Sequence, residues 1–374
     1  MLTVLIAPDS FKGTLSAAQV CDIAERAFTD AIKDVKIIKL PAADGGEGLC
    51  ACFEGFAKGR RIAAEVSGVF GEKMMAEYFM LENNTAVIET ASCAGLPLAG
   101  DNKNPEEATT LGVGELMLHA KQNGAKAVLL GLGGSATNDC GVGMATALGW
   151  KFLDENGNSV EPCGASLSKI QKRSPPTTSF DLPVTAACDV ENPLYGKNGA
   201  AYVFAPQKGA DKEMVQRLDS GLKNVARVIE KDVGKAVAAT KGSGAAGGMG
   251  AGALAFLNAQ LKKGIDIILD ESGFDAFAAE CDLVVTGEGR LDFQSADGKV
   301  ISGVAKRAKR LGKKVVAVCG CRGDGAEKIL DCGVIEMYFA TEKEKSFAEI
   351  LETCKTDLYA AAFKAALNQK EDLQ

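Results

Sequence analysis

The chain has 374 residues, 47% hydrophobic and 24% charged: the balance of a globular protein, at a length that exceeds one ordinary core. A net charge of −7 and an aromatic content of 6% exclude a broad basic face and stacked-base recognition, so neither nucleic acid nor an anionic membrane is expected as a partner. The lone histidine, His119, and twelve cysteines whose closest pairs are CxC offer no zinc-ligand spacing, and reduced thiols in the cytoplasm are the expectation.

In chain order, the apolar run LTVLIA at 2–7 predicts a buried strand, and its flank lacks the basic region of a signal peptide. A helix is expected over 16–31, with Ser16 as cap and Gln19 completing a capping box, and then a strand over 35–40. This βαβ unit implies a parallel sheet. Residues 61–69 and 73–82 alternate like an antiparallel hairpin closed at Phe70-Gly71-Glu72. Further strands are expected at 86–90, 127–131, 184–187 and 201–204, with helices near 106–121 and 144–148. A helix over 212–232 precedes a glycine-rich run at 242–252. The opening grammar then returns. Strands at 282–286, 315–319 and 334–339 alternate with helices near 298–311 and 326–331, and a long amphipathic helix covers 346–368. No run reaches the ~18 consecutive apolar residues of a membrane span.

Two strands from the start and three from the end make one flavodoxin-like, doubly wound, five-stranded parallel sheet in an α/β protein. Residues 1–60 and 277–374 would form this discontinuous domain, and 61–276 an inserted α+β domain. A cleft between two domains is the default place for a ligand.

Ligands of open α/β sheets bind beyond the carboxyl ends of the strands, so residues just after strands are the candidates. Asp9, Ser10 and Lys12 follow the first strand: an acid for a metal or hydroxyl, and a hydroxyl and ammonium for a carboxylate or phosphate. A solvated Asp-Ser turn is an equal reading. After the second strand, Ala43-Asp44-Gly45-Gly46-Glu47-Gly48 sets Asp44 and Glu47 among glycines that open backbone amides to an anion. After 127–131 comes Gly131-Leu132-Gly133-Gly134-Ser135-Ala136-Thr137-Asn138-Asp139. It fits GxGxxA, and Asp154 follows at a distance that admits a dinucleotide fingerprint. Gly133, Gly134, Ser135 and Asn138 suit nucleotide phosphates as well. A second run, Gly242 to Gly250, also matches GxGxxG, and neither contains a Walker-A lysine. Asp189 follows the strand at 184–187, and Glu288, Arg290 and Asp292 follow the strand at 282–286. Phosphoryl transfer to an alcohol needs a proton-accepting carboxylate, acids for Mg²⁺ and cations for the moving phosphoryl, and these positions supply each type.

Taken together and in order, APDSFKGTLSA, PAADGGEG, GLGGSATNDCGVG, DVENPLYGKNGAAYVFAPQKGA, GSGAAGGMGAGA and GEGRLDFQSADGKVISGVA resemble the bacterial glycerate kinase family. They run from Ala7 to Ala305. The resemblance implies ATP-dependent phosphorylation of D-glycerate with Mg²⁺, giving a phosphoglycerate, with 2-phosphoglycerate favoured over 3-phosphoglycerate. Glycerate and ATP would be the small-molecule partners, and a homodimer is admitted. From the chemistry of their side chains, the catalytic set would be Asp189, Lys12 and Arg290, and the substrate set Asp9, Ser10, Asp44 and Glu47. Gly133, Gly134, Ser135 and Asn138 would hold ATP, and Asp189, Glu288 and Asp292 the metal. Two other functions compete: an NAD-dependent hydroxy-acid dehydrogenase built on the Gly131–Ala136 fingerprint, and a non-catalytic sensor of a small anion or nucleotide.

Overall fold

The apolar start folds as the strand Leu2–Ile6, with Val4, Leu5 and Ile6 buried. Ser16 then begins the helix Ala17–Ala31 by a capping box: its hydroxyl accepts from the Gln19 amide at 3.2 Å, and its own amide donates to Gln19 Oε1 at 2.9 Å. Val20, Cys21, Ala24, Ala27, Phe28 and Ala31 fall on one face of that helix and are buried, as a period of 3.6 requires. In this computed structural model, residues 1–43, 48–234, 236–296, 299–341 and 345–372 are described. The chain divides into two compact units: Met1–Asp44, Ala51–Ala57 and Ile265–Gln374 form one, and Gly45–Cys50 with Lys58–Gly264 the other.

The first unit is an all-parallel sheet. Val35–Lys39 pairs with Leu2–Ile6, which pairs with Leu283–Thr286, which pairs with Lys314–Arg322, which pairs with Val334–Thr341. Counted along the chain, these five strands stand in the order 2-1-3-4-5, the flavodoxin-like order. A sixth strand of two residues, Arg290–Leu291, pairs with Cys321 and Arg322, beyond the stretch that pairs with Leu283–Thr286. The helices Ala17–Ala31 and Phe347–Asp372 bury one face of the sheet through Phe28, Val285, Val318, Leu358 and Ala362. The helix expected at 326–331 is a 3₁₀ segment, Ala326–Cys332.

The second unit has a mixed sheet in the order Gln260–Lys262, Val184–Ala187, Ala127–Gly131, Thr85–Glu89, Lys73–Leu81, Gly59–Ser67. The first four strands run parallel, and the last two form the expected antiparallel hairpin, closed where the Gly68 amide donates to Glu72 O. Two expectations fail here. Residues 201–204 are not a strand but part of a helix, Ala200–Phe204, because Ala200, Ala201 and Ala205 are buried while Tyr202 and Val203 face solvent; that is helical, not alternating, burial. The helix expected from 106 begins only at Leu111. Thr109 is drawn into other bonds, its amide to Val69 O and its hydroxyl to Pro162 O, and Thr110 is held by Asp139. No helix among the described residues is long and apolar enough to cross a membrane.

Candidate active site

The first unit reverses its winding between the neighbouring strands Leu2–Ile6 and Leu283–Thr286, so the segments leaving their carboxyl ends diverge and open a crevice. The exit is zipped tightly: the Ala7 amide donates to Val285 O at 2.7 Å, the Asp9 amide to Gly287 O at 2.8 Å, and the Thr286 hydroxyl to Ala7 O at 2.9 Å. Gly287 is demanded here, since a β-carbon on it would overlap the Val318 carbonyl. The backbone thus lies flat on the adjoining strand and turns Glu288 and Arg290 toward the crevice.

A cavity of about 320 Å³ results, with Asp9, Ser10, Lys12, Glu288, Arg290 and Lys299 in its lining. Asp9 is 7% exposed, and its Oδ1 accepts from the Ser10 amide at 2.6 Å. The short turn from Phe11 to Leu15, closed by the Phe11 amide on Leu15 O, presents Lys12. Glu288 is 5% exposed, and its Oε1 has no hydrogen-bond partner among the described residues. Burial pushes its carboxyl up to about 7; the Ser295 hydroxyl and Lys299 oppose this, while Asp9 and Asp292 add to it. Of the residues named from sequence, the crevice therefore gathers Asp9, Ser10, Lys12, Glu288 and Arg290. Asp292 serves its own turn, with Oδ1 accepting from the Gln294 amide at 2.9 Å, and is not among the described lining residues. Asp44 and Glu47 lie outside the described residues.

Asp189 and the loop after Ala127–Gly131 belong to the second unit. Asp189 follows Val184–Ala187, and its Oδ1 accepts from the Gly264 amide at 3.0 Å. In the loop, Leu96 donates its amide to Gly134 O at 2.7 Å, and Ser135 and Thr137 meet the Lys208 ammonium, 2.9 Å from Ser135 Oγ and 2.8 Å from Thr137 O. Asn138 is 1% exposed, and both its amide atoms lack partners among the described residues. Asp139 accepts from Thr110 through amide and hydroxyl, and from the amides of Gly141 and Gly143, which ties the starts of the helices Leu111–Gln122 and Val142–Ala147 together.

The dinucleotide reading of this loop fails on topology. It needs the next strand to lie parallel to Ala127–Gly131, but Lys151–Leu153 pairs antiparallel with Lys172–Ser174 in a separate small sheet. Asp154 spends its carboxylate on the amides of Asn156 and Asn158. The second glycine-rich run is packing surface: Gly247 has φ +65°, and a β-carbon there would overlap the Thr137 carbonyl.

Among the described residues no group of three or more His, Cys, Asp or Glu side chains is placed to hold a metal ion. Mg²⁺ does not demand one, because it keeps waters and substrate phosphates and takes only one or two carboxylates. Glu288, with an unpartnered oxygen and Asp9 beside it, fits that mode.

Comparison with known proteins decides the family: the glycerate kinase family matches residues 4–368. The chain belongs to the glycerate kinase family. It is 39% identical to a glycerate kinase of Halalkalibacterium halodurans, across 98% of each chain. It is 41% identical to a glycerate 2-kinase of Escherichia coli K12, across 90% of this chain and 88% of the other. A crystal structure from Salmonella typhimurium LT2, of a provisionally named glycerate kinase 2, superposes with a TM-score of 0.88 at 37% identity, covering 100% of this chain and 99% of the other. As a glycerate kinase, the chain is a phosphotransferase with an alcohol acceptor.

Lys299, close behind Glu288 in the sequence, lines the cavity with it, whereas one residue of this glycerate kinase, Lys208, escapes sequence reasoning. Lys208 is 4% exposed and sits in a Pro206–Lys208 turn; burial pushes its ammonium down to about 7 against the pull of Asp139. Nothing in local composition separates such a lysine from a surface one.

Proposed function

We propose that this enzyme transfers the γ-phosphoryl group of ATP to D-glycerate, forming 2-phosphoglycerate and ADP. The observation that carries the reading is the cavity in which the buried carboxyl of Glu288 stands with Asp9, Ser10 and the cations Lys12, Arg290 and Lys299. A substrate with one carboxylate and two hydroxyls matches that set: cations for the carboxylate and incoming phosphoryl, acceptors for the hydroxyls. Lys12, Ser10 and Arg290 would contact glycerate or the phosphoryl in transit, with Asp9 orienting a hydroxyl. From their place in the sequence, Asp44 and Glu47 would complete the glycerate-binding set. Gly133, Gly134, Ser135 and Asn138 would receive the phosphates of ATP. Asp189 would accept the hydroxyl proton or share in metal binding, and Glu288 with Asp292 close by would hold Mg²⁺. When bound, that ion supplies charge neutralisation for the phosphates. The glycerate O–H bond breaks as oxygen attacks phosphorus, and ADP leaves with the bridging electrons. The likeness to a glycerate 2-kinase of Escherichia coli supports the 2-hydroxyl as acceptor.

Phosphorus NMR of a reaction with ATP, Mg²⁺ and D-glycerate tests this. Stoichiometric 2-phosphoglycerate is expected. A 3-phosphoglycerate signal would reassign the acceptor hydroxyl, and unconsumed ATP with folded protein would overturn the reading. Asp189→Asn should lower turnover by about 10²-fold or more with little change in melting temperature, as loss of a proton acceptor or charge clamp does.

A further inference from the structure

We propose that Lys208 is a positioning residue for the nucleotide: its ammonium straps the loop Gly133–Asn138 into the shape that receives phosphates. The inference rests on the assignment of that loop to ATP. Lys208 is almost fully buried, and both of its described hydrogen bonds, to Ser135 Oγ at 2.9 Å and Thr137 O at 2.8 Å, end on this loop. The loop is tied from one side by backbone bonds, Leu96 amide to Gly134 O and Ala136 amide to Ala94 O, and at its end by the Cys140 amide on Gly247 O. Lys208 supplies a tie from a different element, the 3₁₀ turn Pro206–Lys208, which the Gly209 amide closes on Pro206 O.

The chemistry argues against mere packing. Drying an ammonium is expensive, and a methionine would fill a similar volume without that cost. An ammonium retained in the interior and spent on one loop points to a demand on the loop's geometry. A second observation lies next to it. Thr137 Oγ1 and both amide atoms of Asn138 are buried with no partner among the described residues, polar groups that the fold holds ready beside the strap. Unmet buried groups are costly, and they are tolerated where function requires them. Lys208 itself acts through Ser135 and Thr137, so its effect should appear on the nucleotide and not on the acceptor.

The test is steady-state kinetics of Lys208→Met, with KM measured separately for ATP and D-glycerate and the melting temperature recorded alongside. Loss of a buried double tie should raise KM for ATP by about tenfold or more and leave KM for glycerate within about twofold. Unchanged KM for ATP in a folded variant, or equal rises for both substrates, would overturn the inference. If Lys208→Met does not fold, Lys208→Gln keeps one donor at similar length, and a smaller rise confined to ATP is expected; its absence overturns the inference equally. Parent enzyme that consumes no ATP with glycerate would sink the underlying function, whereas an active parent with nucleotide-insensitive variants would sink only the role of Lys208.

Discussion

Glu288 sits where ionisation is unfavourable, and the sign of its pH effect follows. Its folded carboxyl titrates near 7, above the ordinary value of 4.5, so between those values the folded state binds more protons than the unfolded chain. Stability contributed by this group is therefore present below about pH 4.5 and lost as pH rises through 7, by at most about 3 kcal/mol. Activity should run the other way, since only the ionised form holds a metal or accepts a proton; kcat/KM is expected to climb through pH 7. Glu288→Gln separates the two effects. It should melt higher than the parent at pH 8, match it near pH 5, and lose about 10²-fold or more in turnover. A variant that melts lower at pH 8 would contradict the unfavourable ionisation of Glu288, and one that keeps its turnover would remove this carboxylate from the chemistry. The flanking residues Asp9, Ser10, Lys12 and Arg290 were legible in the sequence because each follows a strand of a parallel sheet, where topology alone brings side chains together. Lys208 was not legible, because it becomes special only through burial against a loop some seventy residues away in sequence, at separations of 73 and 71.

At the scale of elements, the helix Ala245–Phe256 shows how sterics choose residues. Its opening turn runs through positive φ at Ala246, Gly247 and Gly248, and Gly247 lies against the carbonyl of Thr137. Gly247→Ala places a methyl group on that carbonyl in a conformation L-residues avoid, so a loss of about 2–4 kcal/mol is expected, read by denaturant unfolding. Damage should also reach the Thr137–Asn138 loop, raising KM for ATP; unchanged stability would mean the backbone can yield there. Elements with a clear period or cap were readable in advance, as the Ser16–Gln19 capping box and the hairpin Gly59–Ser67/Lys73–Leu81 show. The segment AYVF at 201–204 reads as a strand because aromatic and β-branched residues favour strands locally, whereas buried alanines at helical spacing make it a helix. The late start of Leu111–Gln122 was invisible for a similar reason: Asp139, distant in sequence, holds Thr110.

On the scale of the whole chain, the three large hydrophobic clusters among the described residues each belong to one unit. The cluster around Val4, Phe28, Val285 and Leu358 lies in the first, and those around Ile88, Leu130 and Met249 and around Leu167, Leu222 and Phe256 lie in the second. Every strand of the second unit's main sheet falls between residues 59 and 262. A fragment of residues 58–264 should accordingly fold alone and unfold cooperatively in far-UV circular dichroism, whereas a disordered fragment would mean that the remaining chain is needed to complete it. The first unit has no such option. Its central strand Leu2–Ile6 stands beside Leu283–Thr286, and Thr286 bonds to Ala7 across a separation of 279 residues. During synthesis the opening strand therefore leaves the ribosome roughly tens of seconds before its neighbour exists. Until then the apolar run VLIA has only Val35–Lys39 beside it and lacks its other neighbour, while the second unit is completed about twenty residues earlier, at Gly264. Order of manufacture thus runs opposite to order of sequence: the middle of the chain is finished first, and the beginning waits for the end. A cell making this enzyme must shelter its first forty residues for nearly the whole of translation.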